Sequence, residues 1–142
     1  MAMNGLLIAL FEMVIIFKLE GKRPHLHFIS AGVILTGIAY LLLDVSFINF
    51  TLLAVISMII VTVGEILSMP FMNSYWIGRT QSHNRGQYAA LITVAWALAQ
   101  TVGPFIGSLI AEKWGFKMLW IIIGVTCILL AFFYKRLQIR KT

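Results

Sequence analysis

Two carboxylates, Glu12 and Glu65, lie inside long apolar runs of the sequence. An acidic side chain at mid-membrane costs about 2.5–3.5 kcal/mol, so such residues usually face a protein interior or an aqueous cavity. A carboxyl group removed from water also binds its proton more tightly, which brings proton exchange toward ambient pH. We predict that both residues line a cavity and take part in proton coupling or substrate binding. The alternative is a carboxylate that hydrogen-bonds to neighbouring helices for packing, or one hydrated near the membrane surface.

Helical spacing predicts which residues share a helix face with the polar side chains of the third and fourth apolar runs. Residues at steps of three and four share one face of a helix, and around Glu65 these are Thr62, Ser68, Met69 and Met72. A second strip contains Thr93, Trp96 and Gln100. Because a side-chain amide at membrane depth must find a hydrogen-bonding partner, we predict that Trp96 and Gln100 contribute to the cavity wall.

Small residues recur at a strict spacing of four in the fourth apolar run: Ala95, Ala99, Gly103, Gly107 and Ala111. Helices in lipid associate through close backbone approach, which small side chains at this spacing permit. Pro104 interrupts the backbone hydrogen bonds beside this stripe, and a proline is a usual cause of a helix bend. We predict a role for these residues in helix packing and gating.

The elements that must position these groups follow from composition. Apolar residues make up 61% of the 142, charged residues 11%, and the mean hydropathy is +0.95. A soluble domain is about half apolar and a quarter charged. We therefore predict an all-α polytopic membrane helix bundle forming a single transmembrane domain over 1–142. Its five spans are expected at about 2–17, 28–43, 51–72, 88–111 and 118–134.

The placement of positive charge predicts the orientation. Of the 11 Lys and Arg, only Lys113 and Lys117 fall on one side. The other nine are Lys18, Lys22, Arg23, Arg79, Arg85, Lys135, Arg136, Arg140 and Lys141. Since cytoplasmic loops carry the excess of Lys and Arg, we expect a multi-pass protein of the cell (inner, cytoplasmic) membrane with a cytoplasmic C-terminus. Basic clusters between apolar runs do not indicate nucleic-acid binding.

Neither a metal site nor an enzyme is indicated. Cys127 is the single cysteine, and His25, His27 and His83 have no cysteine or carboxylate cluster near them in sequence. We expect no catalytic residues, no bound metal and no cofactor other than a proton or ion gradient.

Three segments together resemble a known family. Residues 64–70 (Gly-Glu-Ile-Leu-Ser-Met-Pro), 84–88 (Asn-Arg-Gly-Gln-Tyr) and 103–107 (Gly-Pro-Phe-Ile-Gly) look like the tenth helix, the following loop and the eleventh helix of a major facilitator superfamily transporter. In this registration the five spans are helices eight to twelve. Arg85 and Gly86 then form an anchor and turn in the cytoplasmic loop, or a solvated loop. The charged motif between helices eight and nine is present in degraded form at 18–23, without its usual aspartate and leading glycine.

The resemblance implies twelve helices in two halves, both termini cytoplasmic, and a central cavity that opens alternately to each side. In this half the cavity is lined by helices seven, eight, ten and eleven, and Glu12, Glu65 and Gln100 fall on eight, ten and eleven. It also implies a secondary active transporter, with drugs or metabolites exported against protons as the expected activity. Its partners would be the lipid bilayer, a small-molecule substrate and the missing N-terminal helices. The sequence looks like the C-terminal portion of such a protein.

Two other interpretations use the same features. One is a small membrane scaffold or subunit that binds a partner membrane protein through the stripe from Ala95 to Ala111. The other is a self-assembling transporter similar to the small multidrug resistance proteins. That family has four spans, and this sequence does not match its local motifs.

Overall fold

The computed structural model describes residues 2–19, 21–44 and 50–139. Its regular elements in these ranges are α-helices: α1 (Ala2–Leu19), α2 (His25–Leu42), α3 (Phe50–Ile77) and α4 (Arg85–Ile139). The predicted all-helical class is confirmed. Glu20 of the charged motif at 18–23, and Arg140 and Lys141 of the basic C-terminal cluster, lie outside the described residues.

Gly115 divides α4 into two limbs, α4a (residues 85–114) and α4b (residues 116–139). Its backbone has φ 82° and ψ 165°, a combination that is essentially restricted to glycine. The limbs fold back on each other next to this break, since a Cβ built on Gly107 would lie 3.8 Å from Leu119 Cδ1. Gly115 falls in the segment between the predicted fourth and fifth spans.

Three of the described helices are long and apolar enough to cross a membrane. Among the described residues, α2, α3 and the stretch Arg85–Leu137 meet the length and hydropathy of a membrane span. Each limb of α4 is long enough by itself, because a rise of 1.5 Å per residue gives α4a a length of about 45 Å against a hydrocarbon core of about 30 Å. The helix α3 continues to Ile77, seven residues beyond Pro70.

Two glycines bring the backbones of α2 and α3 into contact. A Cβ on Gly64 would lie 2.6 Å from Thr36 Oγ1 and 2.8 Å from the Gly32 carbonyl oxygen, and a Cβ on Gly32 would lie 2.5 Å from the Gly64 carbonyl oxygen. No side chain fits in that space. Nearer the C-terminal end of α2, at the same interface, Ser57 Oγ donates to the Ala39 carbonyl at 2.7 Å.

The opposite side of α2 packs against α4b in the same manner. A Cβ on Gly37 would lie 3.1 Å from the Gly124 carbonyl oxygen, and buried Ser30 Oγ donates to the Ala131 carbonyl at 3.0 Å. The helix α2 is therefore the centre of the bundle, with α3 on one side and α4b on the other.

Aromatic residues close both ends of this three-helix unit. At the end where α2 begins, Phe28 and Phe71 stack at 4.5 Å and form a core with Leu26 and Ile29. At the other end, Tyr40 stacks on Trp120 at 5.8 Å. There Lys117 Nζ lies 3.5 Å from Asp44 Oδ1, which ties the start of α4b to the end of α2.

Candidate functional site

Glu65 lies half-buried at the interface of α2 and α3, one residue after the Gly64 contact. Its carboxylate is one of the charges that act on the phenol of Tyr40 on α2. Carboxylates are among the side chains that act as general acids and bases in proteins.

The other members of the face predicted around Glu65 separate into different surroundings. Thr62 is 1% exposed and its Oγ1 donates to the Met58 carbonyl at 2.8 Å. Ser68 packs against Gly32, and its Oγ donates to the Gly64 carbonyl at 2.8 Å. Met72 packs against the aromatic core, whereas Met69 is exposed. Ser68 and Met72 thus help to hold α2 and α3 together.

Glu12 lies half-buried on α1. Within the described residues, the extensive packing of α1 is against α3, the helix that carries Glu65. The two acidic residues therefore belong to neighbouring helices of one packed unit.

Trp96 and Gln100 lie on α4a and are both exposed. The contacts of α4 with the rest of the bundle are made with α2, and they involve α4b residues such as Gly124 and Ala131. No residue from 85 to 114 is buried. The structure therefore places Trp96 and Gln100 on a helix that stands apart from the α2–α3 interface holding Glu65.

The stripe of small residues on α4a has few neighbours. Ala95, Ala99 and Gly103 are exposed, and a Cβ added at Gly103 would meet nothing within 4 Å. Towards Gly115 the stripe reaches α4b, where Gly107 and Ala111 line a shallow cavity with Phe116 and Leu119. The helix continues through Pro104. A helix with exposed small residues along most of its length presents a surface on which another helix could pack.

Arg85 and Gly86 form the exposed first turn of α4. The preceding turn is closed by Asn84, whose Oδ1 accepts from the Gln81 backbone N–H at 2.8 Å. The Asn84 carbonyl in turn accepts from the N–H groups of Gln87 and Tyr88, at 3.1 and 3.2 Å. Asn84 thus fixes the loop, and Arg85 and Gly86 follow it without close neighbours at the Gly86 Cα.

A cavity that the sequence patterns do not indicate lies between α2, α3 and α4b. Its volume is about 330 Å³, and its walls include Tyr40, Ser57, Met58, Thr62 and Trp120. In the sequence, Tyr40 lies four residues after Thr36, so the two polar side chains share one face of α2. Among the described residues, no group of three or more His, Cys, Asp or Glu is arranged to hold a metal ion.

Comparison with known proteins gives one match. The sequence model of the Major Facilitator Superfamily matches residues 1–141. No curated protein and no solved structure matches the chain. The match covers the three segments that carry the resemblance and all four helices.

Proposed function

Because this chain belongs to the Major Facilitator Superfamily, a family of membrane transporters, we propose that it forms the part of a secondary active transporter containing helices eight to twelve. The family match over residues 1–141 is the observation that carries this proposal. The transporter would move a small molecule by alternating access, with substrate bound near the membrane midplane between two helical halves.

The burial pattern supports the proposal that these residues form only part of the transport pathway. The helices α2, α3 and α4b interlock through glycines, whereas α4a has no buried residue. A helix carrying Trp96, Gln100 and a stripe of small residues needs a partner on that face. In the proposed transporter the partner is the other half of the molecule, and the space between them is the substrate cavity.

Proton coupling is proposed for Glu65, with Glu12 as a second candidate. Glu65 is half-buried and follows Gly64, where α2 and α3 are in contact, so its protonation changes the charge at an interface between two helices. Substrate export driven by proton entry would then use this carboxylate as the proton-binding group. Drugs and metabolites are the proposed substrate classes.

The coupling role is tested with Glu65→Gln in the complete transporter. This substitution keeps the shape and removes the charge, so we expect proton-linked transport to be abolished while the protein still assembles in the membrane. Glu112→Gln is the matched control, because Glu112 is exposed at the turn beside Gly115. Transport whose pH dependence is the same in Glu65→Gln and the unmodified protein would remove Glu65 from the coupling role.

The requirement for further helices is tested separately. Reconstituted alone in liposomes, these 142 residues are expected to give no substrate flux, and flux should appear when the preceding helices are co-expressed. Uptake or efflux by the isolated chain would contradict the proposed division of the pathway.

A second candidate function is a membrane subunit that binds a partner protein through α4a. The exposed face of Ala95, Ala99 and Gly103 is the observation that favours it. The DNA immediately upstream discriminates the two: seven further apolar spans in frame support the transporter, and a promoter with a ribosome-binding site supports the subunit.

A further inference from the structure

Positive charge gathers at one end of the seam between α2 and α4b. Arg23, Lys135 and Arg136 are exposed there. Among the described residues the ion pair is Asp44–Lys117, which lies at the opposite end of the same two helices. None of these cations is paired with a carboxylate of residues 2–19, 21–44 or 50–139.

The contacts between the helices place these groups at one level. Ser30 Oγ bonds to the Ala131 carbonyl, so the two helices are in register at that point and run in opposite directions. Moving about four residues outward on each, roughly 6 Å of helix rise, reaches the turn of His27 on α2 and Lys135 on α4b. Arg23 Nη1 donates to His27 Nε2 at 3.2 Å, and this bond uses one of the five N–H donors of the guanidinium group.

Beyond the charges, the seam has apolar walls that remain open to the surroundings. Ile34 and Ile38 on α2 are 39% and 41% exposed, and Ile128 and Phe132 on α4b are 42% and 62% exposed. Ile128 lies against Gly37, where the two helices are in contact, and the four exposed side chains flank that line of contact. An apolar surface that ends at a group of cations matches the chemistry of an anionic phospholipid, with an acyl chain along the apolar side chains and a phosphate at the charged end.

We propose that the α2–α4b seam is a binding site for one anionic phospholipid, with its headgroup phosphate held by Arg23 and Lys135. Basic pockets between membrane helices bind anionic headgroups by this charge complementarity. A guanidinium adds directional hydrogen bonds to phosphate oxygens, and the ammonium of Lys135 adds a point charge. The site is separate from Glu65 and does not depend on which substrate is transported.

The test measures lipid binding by the purified full chain in neutral detergent, using native mass spectrometry with phosphatidylglycerol and phosphatidylcholine. Each Lys or Arg near an anionic headgroup changes the affinity by about fivefold, so Arg23→Gln with Lys135→Gln should weaken phosphatidylglycerol binding by about thirtyfold. Binding of phosphatidylcholine should not change.

The matched control is Arg79→Gln with Arg85→Gln, which removes the same charge from the loop between α3 and α4 and should leave the affinity unchanged. An equal loss in both pairs would overturn the proposal, because the attraction would then be diffuse. Binding of glycerol 3-phosphate as tight as that of the lipid would also overturn it.

Two further measurements guard against a folding defect in the Gln pair. Arg23→Lys with Lys135→Arg keeps the charges and should retain binding of phosphatidylglycerol. In the unmodified chain, this binding should weaken as salt is raised, since ions screen exposed charges. Loss of binding in the charge-retaining pair at an unchanged melting temperature, or binding that is independent of salt, contradicts the site.

Discussion

At the scale of single residues, Gly64 determines how closely α2 and α3 approach. Its Cα faces Thr36 and Gly32, with no room for a methyl group. Gly103 lies in a helix as well, but a Cβ there would meet nothing within 4 Å. The same substitution at these two positions therefore separates packing from helix propensity.

We expect Gly64→Ala to lower the free energy of unfolding by about 1–3 kcal/mol, the usual cost of forcing a methylene into a packed interface. Gly103→Ala should not destabilise the chain, because alanine is the better helix former. The measurement is reversible unfolding in mixed micelles. Equal stabilities of the two variants would mean that α2 and α3 do not meet at Gly64.

Ser30 offers a test of the seam between α2 and α4b. Its hydroxyl is buried and bonds to the Ala131 carbonyl. Hydrogen bonds between membrane helices contribute on average about 0.6 kcal/mol, so Ser30→Ala should lower stability by about that amount. Ser108→Ala is the control, because the Ser108 hydroxyl is exposed and bonds within its own helix. A larger effect for Ser108 would contradict this seam.

Sequence periodicity predicts which residues share a face, but not what that face meets. The spacing groups Thr62, Glu65 and Ser68 on one face of α3, and the structure buries Thr62 and packs Ser68 on Gly32. The small residues of α3 that pack on α2 form a less regular pattern than the stripe from Ala95 to Ala111. Ser68 lies four residues after Gly64, and Ser57 lies seven residues before it. An apolar helix can carry small or polar residues on several faces. Only the contacts in the structure show which face packs against a neighbouring helix.

At the scale of the elements, Gly115 decides how α4 is divided. The sequence indicates a connector at 112–117 from its charges, and the backbone turns at the one glycine in that segment. Hydropathy indicates where a chain leaves the lipid. A helix, however, ends where its backbone hydrogen bonds stop, and that point can lie beyond the apolar run. For this reason α3 continues to Ile77 although its apolar run ends near Met72.

We expect Gly115→Ala to destabilise the folded chain by about 1–3 kcal/mol, because alanine is strained at φ 82° and ψ 165°. Gly86→Ala is the control, since Gly86 has open space around it and a helical backbone. Thermal melting in detergent measures the stability. An unchanged melting temperature for Gly115→Ala would mean that the turn between α4a and α4b has another conformation.

At the scale of the whole molecule, the charge distribution predicts which ends of the helices face the cytoplasm. Cys127 is the single cysteine, so a Cys127→Ser background allows one reporter cysteine at a time. In intact cells, an impermeant maleimide should label Lys113→Cys and should label Ser82→Cys only after the membrane is opened. Both positions are exposed. Labelling of Ser82→Cys in intact cells would reverse the proposed orientation.

The helical class and the family follow from the sequence because they depend on apolar runs and on three local segments. The substrate cannot be predicted from these residues, because Trp96 and Gln100 are exposed on α4a, apart from the α2–α3 interface that holds Glu65. The Tyr40–Trp120 cavity depends on contacts between positions 80 residues apart, and no local pattern encodes such a pairing.

The close contact of Gly32 with Gly64 has a consequence for the order of assembly. The two glycines lie on consecutive helices, so α2 and α3 can join as a hairpin while the ribosome is still adding α4. The later arrival, α4b, then closes on the free side of α2 at Gly37 and Ser30. The growing chain therefore exposes the contacting faces of α2, α3 and α4b in the order in which they pack.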